Sequence, residues 1–427
     1  MKKAIHADYI YFNGVLEEKK YLIFDNKILS LQNNPADAEI IYTRENALII
    51  PGLINTHTHL PMSLFRGLAD DLPLMEWLQK HIWPAESKFL TEEFVYDATM
   101  LAASEMIRSG TILANDMYFY SKQIGKALTK AGLKGVLGAG ILDFPTKFGK
   151  NIDDYLSNAK SLIEYFSDNK NIKIALSPHA PYTVSPENYK KCINFAEKFD
   201  IVIHTHLSET VDEINTIKSK YGKSPVNLMD EIGLFDYKTI VAHMVHLTEE
   251  EIEIVGRKNL KISHCLESNL KLGSGFCPVK KLQDAGGVVS IGTDGSASNN
   301  DLDMLAEIST VAKFHKGLNL DPTVLPAEKV LNMATKEAAI SLYLENHGEL
   351  KEGYYADFAV INFDDPYTVP VYNPISQLIY SSKTSNVNDL FVNGEPIMLD
   401  KKILTFDENE VIEKSMWWGR KISESRQ

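Results

Sequence analysis

The chain reads as an α/β protein: a (β/α)8 TIM-like barrel carrying a composite β-sandwich domain built from both chain ends. Three observations predict this. From residue 50 to about 345, eight short apolar runs alternate with helical or loop stretches. The runs are near-continuous in apolar residues, as expected for strands buried on both faces. At or just past their C-terminal ends stand His57, His59, His179, His206, His243, His264 and Asp294, the end where barrel enzymes keep their chemistry.

Residues 1–50 hold IHADYIYF, YLIFDNKILSL and AEIIYTR, β-branched and aromatic segments that predict a small sheet with a Phe-Asp-Asn-Lys turn. The apolar run ALII ends at Pro51-Gly52, and a short strand then delivers His57 and His59. Two positions apart on a strand, they face the same side. A helical stretch around LMEWLQKHIWPAESKF follows, then a helix that Thr91 caps and Gly110 ends. Further strands are expected at 111–119, 134–142, 172–182, 200–209, 239–246, 260–268 and 287–295. Beyond 345 come a turn, a strand, a loop with prolines at 366, 370, 374 and 396, and a hairpin-like segment, VNDLFVNGEPIMLDKK. These are expected to pair with the first fifty residues. The division is then 1–50 and 346–427 for the sandwich, and 51–345 for the barrel. The tail ENEVIEKSMWWGRKISES should be helical, with Trp417 and Trp418 as a packing anchor.

Composition narrows the function. The 427 residues carry a formal net charge of −13 with no basic block, which argues against a nucleic-acid polymer or an anionic membrane surface as partner. Cys192, Cys265 and Cys277 form no close-spaced pair, so neither a disulfide framework nor a cysteine zinc site is expected. Neither a signal peptide nor an 18-residue apolar run is visible, and a cytoplasmic location is the expectation.

Two imidazoles at a strand end can begin a metal site. The motifs HTH (57–59), HLSE (206–209), AH (242–243) and GTDG (292–295) extend it, and LFRGLADDLPLMEWL, SPHAPY, SNLKLG and GTDGSASNN are longer matches. Together they resemble the amidohydrolase superfamily over nearly the whole chain. The resemblance is nearest to the methylthioadenosine/S-adenosylhomocysteine deaminase branch, which includes aminodeoxyfutalosine deaminases, and more distant to triazine chlorohydrolases. It implies a barrel plus composite sandwich, one divalent metal and a homo-oligomer. The implied ligands are His57, His59, His206 and Asp294, with His243 beside the attacking water. Zn2+ is the natural ion, and the donor set leaves Fe2+ or Mn2+ open. SPHAPY offers no strand-four lysine to bridge two metals, which favours a one-metal site.

The chemistry expected of these residues is hydrolytic. Asp294, in a tight turn between glycines, takes the proton of the attacking water. Glu209 protonates a ring nitrogen and relays the proton to the leaving amine, provided that a turn after Leu207 brings it over the substrate. His243 stabilises the oxygen that forms on the ring carbon. Glu86 matches the branch's acidic residue for the ribose hydroxyls, and His179 its histidine near ribose and purine. Trp77, Trp83 and Met62 either line the purine face or belong to the core.

Two departures bear on the substrate. Ala139 stands where members favouring homocysteine substrates place an arginine, and the following loop offers only Lys147 and Lys150. Residues 263–268, Ser-His-Cys-Leu-Glu-Ser, replace a proline-containing segment, so Glu267 is expected to reshape the pocket floor. The expected activity is removal of the 6-amino group from an adenosine-type nucleoside: methylthioadenosine, adenosine, S-adenosylhomocysteine or aminodeoxyfutalosine. Hydrolysis on another ring, as in guanine deaminases or triazine chlorohydrolases, is the alternative. A silent scaffold would have no physical need for the complete set His57, His59, His206, His243, Glu209 and Asp294.

Overall fold

A computed structural model describes residues 1–425 of the chain; Arg426 and Gln427, the end of the expected terminal segment, lie outside the described residues. Strands β1 (Lys3–Phe12), β2 (Val15–Phe24) and β3 (Ile28–Gln32) form an antiparallel meander, and β4 (Glu39–Pro51) runs parallel to β1. The barrel follows: β5 (Leu53–Thr58), β6 (Thr111–Tyr118), β7 (Lys134–Ile141), β8 (Ile172–Pro178), β9 (Val202–Leu207), β10 (Thr239–His243), β11 (Lys261–His264) and β12 (Val288–Ile291). These eight are ordered sequentially and pair in parallel. The circle closes where Thr58, at the end of β5, bridges Asp294 just after β12.

After the barrel, β13 (Phe358–Asn362), β14 (Val387–Val392), β15 (Glu395–Leu399) and β16 (Lys402–Ile403) complete the terminal sheet. Its order is β16-β15-β14-β13-β4-β1-β2-β3, so the two ends of the chain meet at β4 and β13. There they pair antiparallel, with Pro51 opposite Phe358. A separate apolar core gathers Ile5, Ile10, Phe24, Phe358 and Phe391, with the last two rings stacked at 4.5 Å.

Burial explains the strand patterns. All eight residues of β6 and all six of β5 are buried, so these strands show no alternation of buried and exposed positions, and even their polar residues Asn55, His57, Asn115 and Asp116 are enclosed. Thr91 accepts a hydrogen bond from the Phe94 N–H and caps the helix Glu92–Arg108. The terminal helix, Glu408–Glu424, docks on that helix through Trp418, whose ring meets Phe94 edge-on and whose Nε1 donates to Asp97 at 2.8 Å. Cys192, Cys265 and Cys277 are free and buried. Among the described residues, no helix is long and apolar enough to cross a membrane.

Several boundaries differ from the expectation. β11 stops at His264, and residues 266–271 coil into a short helix instead of extending the strand. Pro374 does not sit in a loop: it opens the helix Pro374–Tyr380, capped by Asn373, a position where the missing N–H costs nothing. Pro396 lies inside β15, beside a register irregularity in its pairing with β14 that leaves Ile397 without a partner residue.

One buried ion pair links the barrel to the terminal sheet. Lys134 Nζ, at the start of β7, lies 2.5 Å from Asp357 Oδ2, and the two side chains are 3% and 4% exposed. Asp357 Oδ1 also accepts the Asn393 N–H at 2.7 Å, which fixes the turn between β14 and β15. Lys134→Ala would strand a buried carboxylate, so unfolding should become easier by about 3–5 kcal/mol, read as a lower urea midpoint.

Candidate active site

At the C-terminal mouth of the barrel, four imidazoles turn their Nε2 atoms toward one region. Each is held from behind by its other nitrogen. His59 Nδ1 donates to the Met117 carbonyl at 2.5 Å, and His206 Nδ1 to the His179 carbonyl at 2.8 Å. His243 Nδ1 donates to Asn269 Oδ1 at 2.9 Å. His57 Nδ1 shares a hydrogen bond with His204 Nε2 at 2.8 Å. Such outer contacts fix tautomer and ring orientation in metal sites.

Asp294 completes the cluster. Its Oδ1 lies 3.4 Å from His57 Nε2 and 3.2 Å from His59 Nε2. Oδ2 accepts the hydroxyls of Ser268 at 2.7 Å and Ser298 at 3.1 Å. Donor atoms of His57, His59 and Asp294 fall within 4.8 Å of one another, and so do those of His57, His206 and His243. His57 is fully buried, and its Nε2 has no hydrogen-bond partner. An orphaned nitrogen facing a carboxylate and further imidazoles fits a single divalent cation, and the N/O donor set suits zinc.

The electrostatics agree with that chemistry. Burial pushes His57 down to about 4 and His206 well below the usual range, so both are neutral and able to ligate. Burial opposes ionisation of Asp294, yet contacts from His57 and His59 hold its carboxyl well below the ordinary value. The same contact, working against burial, raises His59 to about 9. A divalent ion seated between them would supply the charge that this proton provides.

Local backbone geometry aims the side chains. His243 (φ 77), Met244 (φ 51), Ser208 (φ 54) and Asp294 (φ 65) all adopt left-handed conformations at strand ends, a region disfavoured for residues other than glycine. The turn at Ser208 follows β9 directly and brings Glu209 inward, to 3.8 Å from His243 Nε2. Glu213 secures this turn by accepting the N–H groups of Ser208 and Glu209 at 2.9 and 2.8 Å. The glycines of GTDG are equally constrained. A Cβ on Gly292 would lie 2.7 Å from the His57 backbone nitrogen, and one on Gly295 would lie 3.1 Å from the His59 Cβ.

A cavity of about 580 Å³ opens over the cluster. His59, His206, His243, Glu209 and Asp294 lie at its polar end, and Glu86, His179, Trp77, Trp83 and Met62 also line it. Burial pushes the Glu86 carboxyl up to about 7 against the hydrogen bond from Tyr118. His179 is driven to about 3 by burial and stays neutral; its Nδ1 pairs with the Thr183 hydroxyl at 2.9 Å.

Other sequence-selected residues lie elsewhere. His264 does not join the cluster; its Nε2 is 3.0 Å from His315 Nε2, behind β11. Glu267 does not reach the pocket floor either, because the helix 266–271 turns it to the Thr310 hydroxyl. Gly140, rather than Ala139, lines the cavity on β7, and of the two loop lysines only Lys147 does so. Sequence reasoning gave no role to His204, Asn269, Ser268, Ser298 or Glu213. The one signal for His204 was that residues 204–206 repeat the HTH of 57–59.

The amidohydrolase family profile matches residues 48–397. The chain belongs to the amidohydrolase family. Within this family it stands with the 5-methylthioadenosine/S-adenosylhomocysteine deaminase branch. It is 47% identical over 386 residues to an enzyme of that name from Thermodesulfovibrio yellowstonii, covering 90% of this chain and 88% of that one. It is 46% identical to a 5′-deoxyadenosine deaminase of Methanocaldococcus jannaschii, over 95% of this chain and 96% of the relative. Among amidohydrolase structures, that of an adenosine deaminase from Xanthomonas campestris with bound zinc superposes with a TM-score of 0.95 at 36% identity, covering 99% and 98% of the two chains.

The support behind His57 should be measurable. His204→Ala removes the partner of His57 Nδ1, and metal affinity should fall about 10–100-fold, read by competition against a chromophoric chelator with circular dichroism unchanged.

Proposed function

We propose that this amidohydrolase removes the 6-amino group of adenosine-type nucleosides by metal-dependent hydrolysis, yielding the inosine-type product and ammonia. The observation that carries the reading is one cavity holding a His-and-Asp metal cluster at one end and the Glu86 carboxylate farther along its wall. A divalent metal bound there lowers the pKa of water to about 7 and so supplies a nucleophile at neutral pH. His57, His59, His206 and Asp294 would hold it.

The protein's own groups manage the protons. Asp294 Oδ1 faces the cluster and takes the proton of the attacking water, while Ser268 and Ser298 keep Oδ2 turned away. Burial raises the Glu209 carboxyl, partly offset by His243, and favours the protonated form that can donate to the purine ring nitrogen. After the C–O bond has formed, Glu209, now a carboxylate, takes the remaining hydroxyl proton from the oxygen on the ring carbon and passes it to the amine as the C–N bond breaks; the proton held by Asp294 then returns to Glu209. His243, fixed by Asn269, stabilises the oxygen on the ring carbon. Trp77 and Met62 flank the purine, His179 stands between purine and ribose, and Glu86 accepts the ribose hydroxyls.

The 5′ end favours uncharged substituents. Lys147 is the single lysine or arginine among the described lining residues, and its Nζ already donates to the Ser87 carbonyl at 2.8 Å. The nearby wall carries Leu142, Phe144 and Phe148. The relatives above, named as deaminases of methylthioadenosine and S-adenosylhomocysteine, of 5′-deoxyadenosine and of adenosine, bracket this choice. The reading also takes the protein as a cytoplasmic homo-oligomer with small-molecule substrates, and its formal net charge of −13 disfavours a nucleic-acid polymer.

The direct test is ammonia release by the zinc-loaded enzyme, ranked by kcat/KM over methylthioadenosine, 5′-deoxyadenosine, adenosine, S-adenosylhomocysteine, aminodeoxyfutalosine and guanine. Adenosines with uncharged 5′ ends should lead. Turnover of guanine with none of any adenosine would overturn the proposal. In the same assay Glu209→Gln should keep its metal and lose about 10²-fold or more in kcat.

A further inference from the structure

Glu86 is carried by an insecure element. The helix Trp83–Phe89 has no fully buried residue, starts directly after a π turn and has no side-chain cap. A glutamate there has several rotatable bonds to order before it can present both oxygens to a diol, and that ordering has an entropic cost. Packing of its own helix does not account for a fixed carboxylate.

The barrel accounts for it. Tyr118 is the last residue of β6, 6% exposed, and its ring lines the cavity. Its hydroxyl donates to Glu86 Oε1 at 2.5 Å. An ionised carboxylate has about four acceptor sites; this bond uses one and leaves Oε2 and a lone pair of Oε1 for two hydroxyl donors. The residue before Tyr118 is Met117, whose carbonyl holds His59 Nδ1. One peptide unit therefore spaces the carboxylate's anchor from the anchor of a proposed metal ligand.

We infer that Tyr118 is a positioning residue that fixes Glu86 for a ribose cis-diol, and that this contact sets the preference for ribonucleosides over deoxynucleosides. The inference rests on the reading of Glu86 as the ribose carboxylate. Burial, with Glu86 alongside, raises the Tyr118 hydroxyl well above its usual value, so it remains a donor throughout the working range. The Tyr118 hydroxyl donates to Glu86, and its contribution belongs to binding.

The experiment is Tyr118→Phe, which keeps the ring and removes only the hydroxyl, measured beside Glu86→Gln with adenosine and 2′-deoxyadenosine as substrates. KM for adenosine should rise about tenfold in Tyr118→Phe, the effect of one hydrogen bond to a charged group, with kcat and zinc content near wild type. KM for 2′-deoxyadenosine, which keeps only the 3′-hydroxyl for Glu86, should rise less. An unchanged KM for adenosine, or a parallel rise for both substrates, would overturn the role given to Tyr118. If Glu86→Gln erases the ribose preference and Tyr118→Phe does not, only Tyr118 loses its role. If Glu86→Gln leaves the preference intact, the ribose assignment of Glu86 fails and this inference falls with it.

Discussion

The structure depends on how the barrel closes. Between its first and eighth strands the regular ladder gives way to a single bridge, Thr58 to Asp294, in which the Asp294 N–H donates to the His57 carbonyl at 2.9 Å. This contact brings a carboxylate from the end of the barrel's sequence against two imidazoles from its beginning. Asn55 reinforces it, because its Oδ1 accepts the Thr293 N–H and its Nδ2 donates to the Thr293 hydroxyl. A metal-ligand set drawn from distant segments needs a rigid joint, and here the joint and the ligand set share residues.

A second constraint is the burial of so many titratable groups in one place. Isolated charges in such a setting are costly, and the protein limits them by keeping His57, His179, His204 and His206 neutral through burial. Negative charge is concentrated on Asp294, where hydroxyl and backbone donors surround it. The carboxyls of Glu209 and Glu86 are both shifted upward by burial. A site that keeps one carboxylate ionised and another ready to hold a proton separates base from acid by environment alone.

Most of the architecture was legible in the sequence because it depends on burial, and burial leaves a compositional trace. β6 reads TILANDMY and every one of its residues is buried. The polar residues at strand ends were legible because they interrupt apolar runs at the same point. Legibility stopped where orientation decides. His243 and His264 both end a short strand, yet one faces the cavity and the other faces His315; a strand of four or five residues has no pattern long enough to show which. Glu267 was misplaced because the helix that rotates it begins one residue earlier, without a proline or side-chain cap to announce it. His204, Asn269 and Glu213 act through other residues: the HTH repeat holds His204 and the SNLKLG match holds Asn269, yet neither pattern says which side chain each one supports. The positive φ at Ser208 that turns Glu209 inward leaves no trace in composition either.

The sheet shared by the two chain ends has a consequence for how the protein is made. On the ribosome, β1 to β4 emerge first, and the open edge of β4 finds its partner only when Phe358 to Asn362 have been synthesised. At about 5–20 residues per second, the whole barrel is translated while that edge stays unpaired. An unpaired strand edge is a template for association with another chain. Nascent copies on one messenger are thus exposed to mispairing with their neighbours while the barrel is made, and β13 ends that exposure for each chain.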